Sequence, residues 1–426
     1  MTSDILAKQS FDSSAPVLTD VRHAADARVS ATAHPDILCF CGQDWWYHNR
    51  AHSDFQLMTR AASKRKVLLV NSIGMRMPMP GKSPLPFRRI WRKFKSILRS
   101  VARPLHDKPD YVVMTPVIFP FYGSPTARAF NAWLVRFQVE RQARKMGMEN
   151  PHIIVTIPTA WEVARFMSRS SLVYNRSDRH SAFAEADNSL ITSLERQLFN
   201  GADGVFYSSR AFLDSEKQST GGRAHFLDHG VDTTHFAPRP RTGRLLELGC
   251  PRPIVGFFGG LDDYVVDFKL LELVARERPQ YTLVLIGDAT LPMDFLTRYP
   301  NVRHLGFRPY QEIPELGADF DVSIMPWLDN DWIRSCNPIK LKEYLSLGQE
   351  VVTTYFPEVE HYLDYVHVAR SDEEFLQRID EVVAGAKAPG DRKALLGNAT
   401  WDKRTDELLD VLDRIAAGKE DACAAS

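Results

Sequence analysis

The 426-residue chain carries 53 Lys and Arg residues and 53 Asp and Glu residues, so its bulk charge does not indicate a nucleic-acid-binding protein. Its 44% hydrophobic and 25% charged content is typical of a soluble globular protein, and its length favours two domains over one. Five cysteines without zinc-site spacing favour reduced thiols over a disulfide framework. No apolar run of 18 residues occurs, and the acidic N-terminus lacks the apolar core of a secretory signal, so we expect a cytoplasmic protein.

Residues 1–33 are polar and rich in Ala and Ser, which predicts a disordered tail. Short apolar runs then alternate with helix-period segments, a pattern typical of a parallel sheet covered on both faces. One such helix is predicted over 188–200, where leucines recur along one stripe. The apolar runs predicted as strands of this first half are 36–41, 66–71, 111–114, 152–156, 172–174 and 204–209.

A basic segment over 86–106 interrupts this series. Seven Lys and Arg residues and no acids fall between 87 and 103, with Phe, Ile, Trp and Leu at helical spacing. A basic amphipathic helix of this kind fits an anionic membrane surface. The alternative is an ordinary helix with its apolar stripe on the core.

Residues 237–252 hold several prolines and arginines and are predicted to link two domains, over 34–236 and 253–399. A helix is predicted over 267–279, and an amphipathic one over 400–417 is expected to cross back to the first domain, before a short tail at 418–426. The strands predicted for the second half are 253–260, 281–288, 302–307, 320–327 and 349–355. The fold class is therefore α/β, with two Rossmann-like domains around a cleft that faces the carboxyl ends of the strands.

The segment "NPIKLKEYLSLGQEVVTT" reads as a short helix followed by a buried strand. Asn337 suits an N-cap and Pro338 the first helical position. Lys340, Glu343 and Tyr344 fall at i, i+3 and i+4 and share a face. The helix N-terminus and Lys340 suit a phosphate, and Glu343 suits ribose hydroxyls. The alternative is a solvated Lys/Glu pair on a surface helix.

This segment resembles the donor-site motif of GT-B glycosyltransferases. Other segments match that family in the expected order over roughly residues 36–416, and one resembles an exopolysaccharide subgroup. They are "VYNRSDRHSAF" (173–183), "HGVDTTHF" (229–236), "VGFFGGLDD" (255–263), "LVLIGD" (283–288) and "NVRHLGFRPYQEIPEL" (301–316).

The resemblance implies that Lys340 contacts the donor diphosphate and Glu343 the ribose or sugar hydroxyls, with Asn337 and Tyr344 in the same motif. It implies that Gly259 and Gly260 let the backbone approach the phosphates or sugar. Arg308 and Tyr310 would hold the nucleotide base, although Tyr310 also suits simple loop packing. The family's second phosphate clamp is replaced here by the acidic "LDDYVVD", and Lys269 is a weaker candidate for it.

The resemblance also bears on the reaction. The first glutamate of the related retaining enzymes would fall at Ser335, so an inverting reaction is favoured. Asp178 matches the catalytic Asp segment of the xanthan glucuronosyltransferase family, with His180 as an alternative base or as an orienter of the sugar. The alternative for Asp178 is a helix N-cap.

On the acceptor side, Asp44, Trp45 and Trp46 follow a first-domain strand and suit sugar stacking. The alternative is an aromatic pair that closes the core. No Asp-x-Asp is placed at a strand end, so we expect no metal and no cofactor beyond the nucleotide-sugar co-substrate.

Together these features predict transfer of a hexosyl or uronosyl group from a nucleotide sugar, with UDP favoured, to a glycan or polyprenyl-linked acceptor. The protein would lie peripherally at the inner face of the plasma membrane. One alternative is a non-catalytic GT-B scaffold that binds nucleotide or membrane. The other is a dinucleotide-dependent oxidoreductase, which the absence of G-x-G-x-x-G disfavours.

Overall fold

The computed structural model describes residues 34–47, 50–73, 100–119, 124–177 and 188–424. Within these residues the strands form one eight-stranded and one six-stranded sheet, and both sheets lie in a compact unit that begins at Pro35. The inner strands of both sheets are largely apolar runs buried on both faces, as a covered parallel sheet requires, whereas the strands at the sheet edges are partly exposed.

The first sheet has the order β3-β4-β2-β1-β5-β6-β7-β8 and is parallel except for the pairing of β3 with β4. Its register is set by pairs such as Ile37 with Val67 and Ile37 with His152. Its strands are β1 (Ile37–Phe40), β2 (Val67–Val70), β3 (Val101–Ala102), β4 (Tyr111–Met114), β5 (His152–Val155), β6 (Ser171–Arg176), β7 (Gly204–Tyr207) and β8 (Ala224–Phe226).

The second sheet is parallel with the order β11-β10-β9-β12-β13-β14. Strands β10 and β11 are added on one side of β9 and the later strands on its other side, so the strand order reverses next to β9. This reversal is the point at which open α/β sheets bind ligands. Its strands are β9 (Ile254–Phe258), β10 (Thr282–Ile286), β11 (Val302–His304), β12 (Val322–Met325), β13 (Val351–Thr354) and β14 (His367–Ala369).

Helices cover both faces of each sheet. They are α1 (Ser53–Ala61), α2 (Pro125–Lys145), α3 (Trp161–Ala164), α4 (Asn188–Gly201), α5 (Arg210–Thr220), α6 (Arg244–Glu247), α7 (Phe268–Glu277), α8 (Asp294–Thr297), α9 (Ile313–Gly317), α10 (Ile339–Ser346), α11 (Asp372–Val383), α12 (Arg392–Gly397) and α13 (Trp401–Ala424).

Helix α13 crosses back to the first half, as the amphipathic pattern predicts. Leu408, Leu409 and Leu412 are buried in one apolar cluster with residues of β1, β2 and β4. Ion pairs to Lys64 and Arg65 add charge contacts along the same interface. The predicted GT-B architecture of two sheets with a returning C-terminal helix is therefore confirmed.

The segment predicted as a domain linker is packed against the second half. Leu245 and Cys250 are buried in the same apolar cluster as β9 and α10. The Asp319 carboxylate accepts hydrogen bonds from the backbone N–H groups of Thr242, Gly243 and Leu245. The exact domain boundaries stay predictions.

The helix predicted over 86–106 is wrong at its C-terminal end. Val101 and Ala102 form strand β3, which pairs antiparallel with β4 and so requires an extended backbone there. Residues 86–99 lie outside the described residues, as does the predicted tail over 1–33. Among the described residues, no helix has the length and apolar character to cross a membrane.

Candidate active site

The glycine-rich turn after β9 lies against the motif helix α10. Gly259 has φ of 137° and its N–H donates to the carbonyl of Ile286, which closes the turn. A Cβ at Gly287 would lie 1.8 Å from the Gly259 carbonyl oxygen, so the two strand ends approach as closely as glycine permits. The turn therefore leaves no room for side chains above the start of α10.

Lys340 is directed at this turn. Its Nζ lies 4.1 Å from the centroid of the Phe257 ring, and a Cβ on Gly259 would come within 2.2 Å of it. Burial lowers the pKa of Lys340 to about 8, although the carboxylates of Glu343 and Asp262 oppose this shift. The lysine is thus held beside the backbone turn at Gly259, and its contact with a donor diphosphate stays a prediction.

Glu343 lies one turn further along α10 and is almost fully buried. Burial raises its pKa to about 7, and Lys340 counteracts this shift. Burial also raises the pKa of Asp262, which follows the glycine turn. The site therefore couples the Lys340 ammonium electrostatically to two carboxyl groups, those of Glu343 and Asp262.

Two members of the predicted motif have structural roles instead. Tyr344 is fully buried and accepts a hydrogen bond from the Phe258 N–H at 2.9 Å, so the prediction that it shares a binding face is wrong. Asn337 is not the N-cap, because Pro338 occupies that position. The Asn337 amide donates to the carbonyl of Ser208 and to the carboxylate of Asp228, which joins α10 to the first half.

Lys342, which the sequence analysis did not select, strengthens this junction. Its buried ammonium donates to the Asp228 carboxylate and to the His229 carbonyl. Lys342 and Arg404 lower the pKa of Asp228 although burial opposes them. Lys342 is two positions from Lys340 and so projects from a different side of the helix. This spacing could have indicated from the sequence that the two lysines have different partners.

The predicted base-binding loop lies beside the segment that ends the first half. The Tyr310 ring stacks on His235 with centroids 4.3 Å apart, and His235 Nε2 lies 3.0 Å from the Tyr310 carbonyl oxygen. Loop packing therefore accounts for one face of Tyr310. Arg308 has a buried Nε with no hydrogen-bond partner among the described residues. Its N–H can therefore donate to an acceptor group of a ligand that reaches it.

The aromatic residues proposed for the acceptor side form part of the core. Trp45 is buried between Phe55 and Tyr111, with ring centroids 5.0 and 5.1 Å away, so its predicted role in sugar stacking is wrong. Trp46 packs partly buried against the same cluster. The Asp44 carboxylate accepts from the Trp46 N–H at 3.0 Å and is also buried.

A buried carboxylate that the sequence analysis missed organises the carboxyl edge of the first sheet. Asp54 accepts hydrogen bonds from Thr156 at 2.8 Å, and from Asn175 and Cys41 at 3.3 Å. These partners stand at the ends of three neighbouring strands, and burial raises the pKa of Asp54. Asp178 and His180 continue the chain after β6 but lie outside the described residues.

Among the described residues, no group of His, Cys, Asp and Glu is arranged to hold a metal ion. The sequence Asp329-Asn330-Asp331 has the Asp-x-Asp pattern but lies in a loop, where Asp329 and Asp331 are exposed and paired to Arg334. At Ser335, the position for which the sequence resemblance implies a glutamate in retaining enzymes, the hydroxyl donates to the Asp331 carbonyl.

Three solved structures share this architecture over more than nine-tenths of the chain and the whole of their own. They are sucrose-phosphate synthase from Thermosynechococcus elongatus (TM-score 0.59, 15% identity, 92% of this chain), Anabaena HepE in complex with UDP (0.58, 16%, 92%) and the trehalose 6-phosphate synthase of Burkholderia multivorans (0.61, 12%, 91%).

This chain has the GT-B fold. In sequence it is 31% identical over 190 residues to the putative teichuronic acid biosynthesis glycosyltransferase TuaH of Bacillus subtilis, a match that covers 42% of this chain. The chain spans about half the length of that relative, 47%. No protein-family model matches it. Within the GT-B fold, α10 starts at the seam between the halves, where Ile339 packs against the first-half core.

Proposed function

We propose that the protein is a nucleotide-sugar-dependent glycosyltransferase that needs no metal ion. The observation that carries the proposal is the position of Lys340. It lies beside the Gly259 turn, at the start of α10 and within a GT-B fold. The ammonium, the helix N-terminus and the open backbone would together stabilise a diphosphate leaving group. Glu343 would accept hydrogen bonds from sugar or ribose hydroxyls.

A UDP-sugar is the proposed donor. HepE, which shares the fold, has been crystallised with UDP, with UDP and glucose, and with UDP-glucose. Arg308 supplies a donor without a partner in the loop proposed to hold the base. Hexosyl and uronosyl groups are both compatible with this proposal.

The proposed acceptor is a glycan or polyprenyl-linked sugar of bacterial exopolysaccharide, capsule or other cell-surface glycan synthesis. The name of the Bacillus relative supports this class. We place the reaction at the inner face of the plasma membrane, with the basic segment 86–106 contacting anionic lipid. Asp178 is the proposed base of an inverting transfer, with His180 as its alternative.

The first experiment is ligand-induced thermal shift of the purified protein with UDP- and GDP-sugars, followed by measurement of nucleotide release. Lys340→Ala should raise the donor KM strongly, and an unchanged KM would contradict the proposed diphosphate site. Asp178→Asn should abolish turnover and leave donor affinity nearly intact. The anomeric configuration of the first product, read by NMR, distinguishes inversion from retention.

The second candidate is a GT-B scaffold that binds nucleotide without transferring sugar. Asp262 favours it, because its acidic side chain lies at the glycine turn where a second phosphate clamp was expected. A protein of this kind would bind UDP-sugars and release no nucleotide with any acceptor. Nucleotide release that depends on Lys340 would eliminate it.

A further inference from the structure

Helix α2 exposes a continuous aromatic stripe. The side chains of Phe130, Trp133 and Phe137 are 49%, 53% and 49% exposed. Their rings contact one another in sequence, with centroids 5.8 and 6.2 Å apart. The opposite face of the same helix already supplies core residues, including Val135 and Val139. The exposed aromatic residues are therefore not needed to pack the helix against the core.

Neighbouring elements extend the stripe into a patch. Phe119 contacts Phe130 at 5.6 Å, and Val117 lies in the same exposed strand-to-helix connection. Phe166, 58% exposed, adjoins Arg136 of α2, whose guanidinium carbon lies 5.8 Å from its ring. We call this surface the α2 patch, and it comprises Val117, Phe119, Phe130, Trp133, Phe137 and Phe166. Exposed apolar groups that adjoin one another mark interaction sites more often than isolated ones do.

The surroundings of the α2 patch are cationic. Between residues 117 and 169 the chain has seven Lys and Arg residues against three acids. Two of those acids are paired: Glu140 with Arg136 at 3.8 Å and Glu162 with Arg128 at 3.4 Å. The remaining cations include Arg141, Arg144 and Lys145 at the end of α2. A surface of this kind repels a second copy of itself and attracts an anionic one.

We propose that the α2 patch docks the protein on an anionic lipid bilayer. Phe and Trp rings would enter the headgroup region while the flanking cations pair with lipid phosphates. This extends the membrane contact proposed above to a described surface, and it does not depend on glycosyl transfer.

The topology supports this orientation. Val117 and Phe119 follow the carboxyl end of β4, so the patch begins at the edge of the sheet where GT-B ligands bind. The neighbouring strand β2 ends at the same edge, because the Asn71 N–H donates to the Met114 carbonyl at 2.8 Å. The α2 patch therefore begins at the rim of the first half where these two neighbouring strands end.

The test is co-sedimentation of the full chain with vesicles of phosphatidylcholine alone and with phosphatidylglycerol added, without any donor or acceptor. We expect binding to the anionic vesicles that weakens with salt. The triple variant Phe130→Ser, Trp133→Ser and Phe137→Ser should partition at least tenfold less. A matched control removes three exposed apolar side chains of the second half and should bind as the parent does: Leu246→Ser, Leu248→Ser and Leu363→Ser.

Several outcomes would overturn the proposal. They are no binding of the parent chain to anionic vesicles, equal binding by the triple variant, and equal loss in the matched control. If light scattering shows that the parent is a dimer and the triple variant a monomer, with vesicle binding unchanged, the surface would be assigned to self-association. If the triple variant fails to fold, the single change Trp133→Glu is used, and vesicle binding within twofold of the parent would refute the proposal.

Discussion

The pKa of Lys340 makes donor binding depend on pH in a predictable direction. With a pKa of about 8 in the empty site, the ammonium is about nine-tenths protonated at pH 7 and about one-tenth at pH 9. If only the charged form binds the diphosphate, donor affinity should fall roughly tenfold over that interval, which corresponds to about 1.4 kcal/mol.

The assay is equilibrium binding of a UDP-sugar from pH 6 to pH 9 by calorimetry. Lys340→Met keeps much of the side-chain length and removes the charge, so the variant should bind weakly at pH 7 and show little further loss up to pH 9. Lys393→Met, which removes an exposed lysine from the start of α12, is the matched control and should retain the pH dependence of the parent.

The reasoning is refuted if the parent chain binds the donor equally well at pH 7 and pH 9. It is also refuted if Lys340→Met loses affinity with pH as steeply as the parent, since the titrating group would then lie elsewhere. A loss of affinity in Lys393→Met equal to that in Lys340→Met would indicate a general charge effect.

Three further changes test other parts of the site. Glu343→Gln should raise the free energy of unfolding at pH 8 by about 1–3 kcal/mol and leave it unchanged near pH 4.5. Because the pKa of Glu343 is raised in the folded state, its ionised form destabilises that state only above the pKa of the unfolded state. Melting curves of the variant and the parent at both pH values test this. Gly287→Ala should weaken donor binding by tenfold or more in thermal shift, because the new Cβ meets the Gly259 carbonyl. Lys342→Met should cost about 3–5 kcal/mol in denaturant unfolding, since Asp228 loses its buried partner.

These changes have their own controls. Gly397→Ala has open space around its Cβ and should bind donor as the parent does. Double replacement by Lys342→Met and Asp228→Asn should recover part of the stability lost in the single variant. No recovery would mean that Lys342 acts through packing and not through its charge.

Much of the fold was predictable because most of its inner strands are continuous apolar runs. Such runs are buried on both faces, so their position in the sequence determines both strand and sheet type. The boundaries of β9 and β10 fall inside the predicted runs 253–260 and 281–288. The basic segment 86–106 misled the prediction at its end, because Val101, which fits a helical stripe, pairs instead with β4 together with its neighbour Ala102.

Individual site roles were less predictable, because one residue type serves several purposes. A tyrosine at helical spacing from Lys340 suits a ligand as well as it suits the core, and Tyr344 supports the Phe258 backbone. An asparagine before a proline suits an N-cap, yet Asn337 reaches across to the first half. Only tertiary packing decides between these roles, within the second half for Tyr344 and between the halves for Asn337, and that packing is absent from local sequence.

Helix α10 carries both the proposed donor-binding lysine, Lys340, and the lysine that joins the two halves, Lys342. Lys340 projects toward the glycine turn of its own half, whereas Lys342 is buried against Asp228 of the first half. Residues two positions apart on a helix are rotated by about 200° around its axis, so one short helix presents the two lysines to different surroundings. A diphosphate held at Lys340 would therefore lie on the same rigid helix that holds the halves together. Any displacement of α10 on donor binding would move the Asp228 contact with it, which couples donor occupancy to the seam between the halves.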